Sequence, residues 1–391
     1  MSFPYRIINS VIFLVLVSFS VTAQQQEKCG TMRMDSIRRA QHPNAPSLQD
    51  FENWLQDEIE QYKQKSATAK QQVITIPVVV HVVHDGDPVG QNENLSQAQV
   101  NSQIEILNED FRRLNSDTTD TPANFQPVAA DIEIEFCLAR VDPQGNVLNE
   151  PGIDRYSGGQ STWSQNDIDN TLKPNTIWDP NRYFNIWTVD FGNSGLLGYA
   201  QFPEASGLQG MPSGSQNAQT DGVVVRHTAF GRVGNVNAPA DKGRTATHEV
   251  GHWLGLQHIW GDGDCSQDDF CNDTPDADAS TSGCPNSQSS CGSVDMIENY
   301  MDYTDDACMN MFTADQKSRM RTVMNNSPRR VDLLSSNVCR VLDKEYVSGQ
   351  VVDSATGTGI PNAQVLISSM ASLQIRCLRG LMISTQESGA M

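Results

Sequence analysis

Apolar positions along the chain fall into short runs whose periodicity changes from segment to segment. Val73 to Val83 is a nearly unbroken β-branched run, which predicts a buried strand, and Pro77 marks one irregular or edge position in it. Ser96 caps a predicted helix, with Gln99 three residues on. Val100, Ile104, Leu107, Phe111 and Leu114 then recur at helical spacing, giving an amphipathic helix that backs a sheet. Ile132 to Val141, Tyr183 to Phe191 and Gly222 to His227 predict further strands, and Leu196 to Phe202 is a candidate edge strand. Thr313 with Gln316 forms a second capping box. It opens a helix through Met324 whose apolar side carries Met320, Val323 and Met324. Strands and helices mix without strict alternation, so the expected class is α+β.

The two ends differ from this body. Arg6 precedes the apolar run Val11 to Phe19, and Val21-Thr22-Ala23 has the small-x-small form of a signal peptidase site. The run is too short to span a bilayer, so residues 1–23 are expected to be a removable export signal and the mature chain to be secreted without a membrane anchor. Residues 24–70 have mixed charge, and the polar stretch Gln61 to Gln72 reads as a linker with Lys63, Lys65 and Lys70 as cut points. Near the other end, Val347 to Asp353 and Ile360 to Val365 flank Thr356-Gly357, a strand-turn-strand pattern. The expected division is therefore a signal at 1–23, a propeptide at 24–70, a main domain at 71–340 and the start of a truncated β-sandwich module with an irregular tail at 345–391.

Charge narrows the function. The 391 residues include 47 acidic and 27 basic side chains, for a formal charge of −20, which argues against nucleic acid as a partner. Seven aspartates lie between Asp262 and Asp278 with no Lys or Arg among them. Such a cluster of hard oxygen donors suggests calcium, although the spacing is not that of an EF-hand. Nine cysteines in an exported chain suggest disulfides, and the odd total leaves at least one unpaired within the chain. Five of them, Cys265, Cys271, Cys284, Cys291 and Cys308, fall in one loop-rich stretch that bridges would staple; a zinc cluster is the rival use.

The chemistry is concentrated in residues 248–258, His-Glu-Val-Gly-His-Trp-Leu-Gly-Leu-Gln-His, which hold three of the seven histidines. On a helix, His248 and His252 share one face and can reach one zinc ion. Gly255 allows a sharp turn that brings back His258 as third ligand. Three ligands leave a fourth position open, the mark of a catalytic zinc site. Glu249 sits beside the histidines without being a ligand, where its carboxylate can take a proton from a metal-activated water. Cys29, in Glu27-Lys28-Cys29-Gly30-Thr31, offers a thiolate from the removable segment, which suggests latency by occupation of the open metal position.

This extended motif, with Asn299-Tyr300-Met301-Asp302-Tyr303 downstream, resembles the metzincin zinc proteases. The run from Asn299 to Thr313, the segment Gly198-Tyr199-Ala200-Gln201-Phe202-Pro203 and the cysteine-bearing acidic stretch resemble the pappalysin (cytophagalysin) family, over about residues 73–330. The resemblance implies a mixed twisted sheet with two long helices above a cleft and an irregular disulfide-stapled subdomain below it. It implies a metalloendopeptidase acting on proteins or peptides, with Met301 beneath the zinc and Tyr303 stabilising the oxyanion. By the same resemblance Cys265 pairs with Cys291 and Cys284 with Cys308, and Asp269, Asp273 and Thr274, the last through its carbonyl, bind calcium. Cys271 departs from the family pattern and competes for the role of Cys265. Asp305 and Asp306, close after Met301, are candidates to line the pocket for the residue after the cut bond and to favour Arg or Lys there, as the resemblance also suggests. The chain's end resembles the first two strands of modules related to the carboxypeptidase regulatory domain.

Two other classes stay open on the residues alone. One is a secreted adhesin or binding protein with a structural metal site; the other is a metal-dependent hydrolase of non-peptide bonds. Chelator-sensitive proteolysis separates both from a protease.

Overall fold

A computed structural model describes residues 27–42, 46–66, 72–205, 217–340, 352–353, 356 and 381–382. The expected signal segment and nearly all of the expected C-terminal module lie outside the described residues. Two helices precede the sheet, α1 (Thr31–Gln41) and α2 (Leu48–Ser66). The stretch from Gln61 to Ser66, expected to be linker, is thus helical. Its polar composition is that of a surface turn of α2, which buries Phe51, Leu55 and Ile59 on its inner side.

The core sheet is built around β1 (Ile74–His84). Helix α3 (Gln97–Phe111) follows, and Ser96 accepts from the Gln99 backbone N–H at 3.2 Å, a cap of about 1 kcal/mol. Gln99 does not complete the box: its amide donates instead to the Phe230 and His227 carbonyls. Leu114, expected on the apolar stripe, lies beyond the helix and is exposed, because the chain turns at Arg113 with φ of 50°.

Strands β2 (Ile134–Leu138) and β3 (Ile153–Ser157) pair in parallel with successive halves of β1, while β4 (Phe184–Val189) pairs with its other side from Val78 onward. Pro77 therefore sits in a central strand, but just before the β4 ladder begins, so the missing N–H costs that ladder nothing. The short helices α4 (Gln165–Asp167) and α5 (Lys173–Thr176) lie between β3 and β4. The sheet continues through β6 (Val223–Arg226), parallel to β4, and ends at β5 (Gly198–Ala200), the antiparallel edge.

Alternation along β1 sends Ile74, Ile76, Val78, Val80 and Val82 to the face covered by α3 and by α6 (Arg244–Trp253). The other face is covered by a smaller cluster that includes Val83, Trp187 and Tyr199. Beyond α6 the chain is loop-rich, with only the two-residue strands β7 (Ser289–Ser290) and β8 (Ser293–Val294) before α7 (Ala314–Asn326) and α8 (Arg330–Leu333). α7 carries a full capping box between Thr313 and Gln316. Disulfides join Cys265 to Cys291 and Cys284 to Cys308 within this stretch, and Cys137 on β2 to Cys339. Cys271 is buried and unpaired. Residues 340–391 form a separate unit, in which β9 (Val352–Asp353) and β10 (Leu381–Met382) pair antiparallel.

Candidate active site

Helix α6 ends at Trp253, and Gly255 takes φ of +91°, a left-handed angle that lets the chain reverse and return His258 to the helix. The result is a triangle of imidazoles. His252 Nε2 lies 3.1 Å from both His248 Nε2 and His258 Nε2. Each Nδ1 faces an oxygen: the Tyr300 carbonyl for His248 at 2.7 Å, the Leu256 carbonyl for His252 at 2.8 Å and Asp262 Oδ1 for His258 at 2.7 Å. A carbonyl can only accept, so Nδ1 carries the proton in His248 and His252, and the Asp262 carboxylate favours the same form in His258. Three bare Nε2 lone pairs then converge in a buried space, an arrangement that needs a cation at its centre. Burial, reinforced by His258, pushes the His248 pKa down to about 3 and holds His252 well below its ordinary value, so both stay in the neutral, ligating form. The donor set fits zinc.

Met301 packs under this triangle. It is fully buried, and a side chain at Gly251 would come within 2.4 Å of its sulfur, so the helix needs glycine there. Tyr303 rises beside the three histidines, its ring 5.0 Å from that of His258, while Trp260 stacks on His258 at 4.2 Å. Burial pushes the Tyr303 phenol up, keeping it a hydrogen-bond donor.

The segment around Cys29 lies in the cleft. Its thiol is grouped with the three histidines as a fourth donor, and it contacts Glu249 Oε2 at 3.4 Å. Thr31 Oγ1 donates to the same carboxylate oxygen at 2.9 Å, and the Tyr303 hydroxyl donates to the Cys29 carbonyl at 3.2 Å. Burial raises Glu249 to about 8 despite the hydrogen bonds from Cys29 and Thr31. The backbone of the segment adds to β5 as a parallel bridge, with Gly30 N donating to Gly198 O at 2.9 Å and Leu197 N to Lys28 O at 2.8 Å. Gly198 is required by this crowding, since a Cβ there would sit 2.8 Å from Glu249 Cγ and 2.9 Å from the Val224 carbonyl.

Lys28 enters a cleft of about 390 Å³ whose lining includes Thr228, Pro239, Arg244 and Met309. Its ammonium donates to the Tyr303 carbonyl at 2.8 Å and lies 3.4 Å from Asp305 Oδ1. Asp305 and Asp306 both line this cleft but do different things. Asp305 is part-exposed and faces Lys28, whereas Asp306 is buried and accepts from the Lys242 and Arg244 backbone N–H groups at the start of α6. Lower in the molecule, Asp269 accepts from the Thr274 hydroxyl at 2.7 Å, while Asp269 Oδ2 and Asp273 Oδ1 are buried with no protein partner.

Three contributors escaped the sequence reading. Lys28 and Thr31 flank Cys29 and carry no motif of their own, and Asp262 stands in the sequence as one of an acidic run. Its spacing of four from His258 was the available signal.

Residues 165–325 match the family model described as pregnancy-associated plasma protein-A, peptidase family M43. An extracellular metalloprotease of Arthroderma benhamiae is 32% identical over 252 residues, covering 63% of this chain and 76% of that protein. One from Arthroderma otae is 46% identical over 141 residues, 35% of this chain and about half (48%) of the relative. Among solved structures, mature mirolysin of Tannerella forsythia in complex with a cleaved peptide is 44% identical with a TM-score of 0.60, covering 68% of this chain and 97% of that one. A promirolysin variant from the same organism is 41% identical with a TM-score of 0.65, covering 79% and 97%. Fold and site together define a zinc metalloendopeptidase of the metzincin type. The chain belongs to the pappalysin family. Among the described residues no helix is long and apolar enough to cross a membrane.

Proposed function

We propose that the chain is exported as a latent precursor and that loss of residues 24 to about 70 frees an endopeptidase that prefers a basic residue after the cut bond. The observation that carries this reading is the seating of Lys28-Cys29-Gly30 along β5, with the thiol at the histidines and the lysine at Asp305. On this reading residues 1–23 are the export signal, 71–340 the catalytic domain and 345–391 the beginning of a β-sandwich module.

His248, His252 and His258 would hold zinc, which lowers the pKa of water and polarises the scissile carbonyl. With the prosegment gone, an extended peptide takes its place along β5 by backbone hydrogen bonds. Glu249, freed from Thr31, takes the proton of the attacking water and passes it to the leaving nitrogen. The Tyr303 hydroxyl, freed from the Cys29 carbonyl, donates to the oxyanion. Met301 supplies an apolar floor and no ligand. Calcium at Asp269, Asp273 and the Thr274 carbonyl would use the two unpartnered carboxylate oxygens, a donor set suited to a hard cation.

One assay tests the core of the reading. The purified chain, its Cys29→Ala form and its Glu249→Ala form are incubated with a denatured proteome, and new peptide termini are mapped while zinc is measured. Cys29→Ala is expected to cleave before any processing and the parent only after it. Glu249→Ala is expected to retain zinc and lose roughly 10³-fold or more in rate. A Cys29→Ala chain as inert as the parent would remove the latency argument, and chelator-insensitive termini would remove the metalloprotease.

A further inference from the structure

The prosegment holds the molecule at a second place, away from the zinc. The inner side of α2 carries Phe51, Leu55 and Ile59, which with Trp54 form an apolar cluster around Val323 of α7. In the middle of it Glu52 is 1% exposed and makes a two-pronged pair with Arg319, at 2.7 and 2.8 Å, whose side chain is equally buried. Glu52 also accepts from the Gln257 amide at 2.8 Å, and Arg319 donates to the Gly255 carbonyl at 2.8 Å. The carboxylate therefore closes a ring of polar contacts with the turn that leads into His258.

Arg319 and Gln257 belong to the part of the chain that remains after maturation. They present donors at the bottom of an apolar groove, and a buried guanidinium of fixed fork geometry is matched by a carboxylate better than by any other side chain. Fully desolvated charge pairs ringed by apolar contacts are where binding energy concentrates. The helix as a whole fits this: α2 has five acidic residues, Glu52 among them, against two lysines, and Lys63 reaches Asp315 at the start of α7.

We propose that the groove between α7 and residues 255–257 is a docking site for an acidic amphipathic helix, read through one central carboxylate, and that α2 remains bound there after the chain is cut between α2 and β1. The idea rests on the reading of residues 24–70 as a removable prosegment. Release of the Cys29 end then opens the cleft while the α2 end stays, and the freed α2 segment can rebind in trans.

The test reads association and not proteolysis. The full chain carrying Cys29→Ala and Glu249→Ala is cut after Lys70 with an added endoproteinase, diluted and passed over a sizing column. Residues 24–70 are expected to co-elute with the remainder, and adding Glu52→Gln is expected to release them. A fluorescent peptide of Leu48–Ser66 is then titrated onto the stripped protein, with the Glu52→Gln peptide expected to bind roughly 30-fold more weakly. This second arm leaves the fold of the protein untouched. Equal binding of the two peptides, or loss of an intact Glu52 prosegment at once on cutting, overturns the docking site. Absence of Glu249-dependent cleavage in the separate assay would remove the protease reading and leave this result standing.

Discussion

At the scale of single residues, the two neighbouring aspartates of the cleft show why proximity alone does not define a specificity group. Asp306 gives its Oδ2 to the two backbone N–H groups that start α6, and burial holds its carboxyl up at about 6, so its charge is committed to the helix start and shapes the pocket floor. Asp305 keeps a part-exposed oxygen opposite the Lys28 ammonium. Asp305→Ala is therefore expected to reduce kcat/KM for peptides with Lys or Arg after the cut bond by roughly 10-fold, with little change for apolar residues there, a difference of about 1.4 kcal/mol. Parallel kinetics on matched peptide pairs would show it, and an equal loss on both sets would mean that Asp305 only supports the turn.

At the scale of elements, the loop between α6 and α7 holds two carboxylates that each keep one buried oxygen without a protein partner. Asp273 anchors the start of α7 by accepting from the Asp315 N–H at 2.9 Å, while its other oxygen and Asp269 Oδ2 are left buried and bare. A calcium ion at the proposed site would tie the loop to the helix, so millimolar calcium is expected to raise Tm by several degrees, and Asp269→Ala to abolish the shift. Differential scanning with and without a calcium-selective chelator measures this; a Tm indifferent to calcium in the parent would remove the ion. Legibility also follows the element. The zinc motif was readable because helix geometry puts positions four apart on one face, and α3 and α7 were readable from their caps and apolar stripes. α2 was missed because its few buried apolar residues sit among charges and glutamines, and its main partner Arg319 lies 267 residues beyond Glu52 in the chain. β3 buries only Ile153 of its five residues and so presents no pattern, whereas β5, though three residues long, falls inside Leu196 to Phe202, where an edge strand is expected. The Cys137–Cys339 bridge spans 202 residues and has no local signal at all.

At the scale of the whole molecule, one carboxylate fastens the C-terminal helices to the active-site helix and the sheet. Asp221, just ahead of β6, accepts from Arg330 at 2.7 Å and from the Trp253 indole at 3.1 Å, and is also paired with Arg329. Arg329 reaches Glu204 in turn, and the Arg330 guanidinium lies 3.7 Å above the Trp253 ring. Burial alone would raise the Asp221 carboxyl, but Arg330 and Arg329 outweigh it and hold it at about 2, below the ordinary 3.8. The unfolded chain then binds this proton more readily than the folded one. The stability it contributes is complete above about pH 4 and is lost as pH falls toward 2, an amount of about 2 kcal/mol. Asp221→Asn removes that slope, and because it leaves two arginines without their shared charge it also lowers stability at pH 7 by about 3 kcal/mol or more. Urea midpoints from pH 6 to pH 2 for the parent and Asp221→Asn should therefore converge as the solution is acidified. If the two curves stay parallel across that range, Asp221 is not the acid-sensitive fastener, and the C-terminal helices must be held chiefly by their apolar contacts.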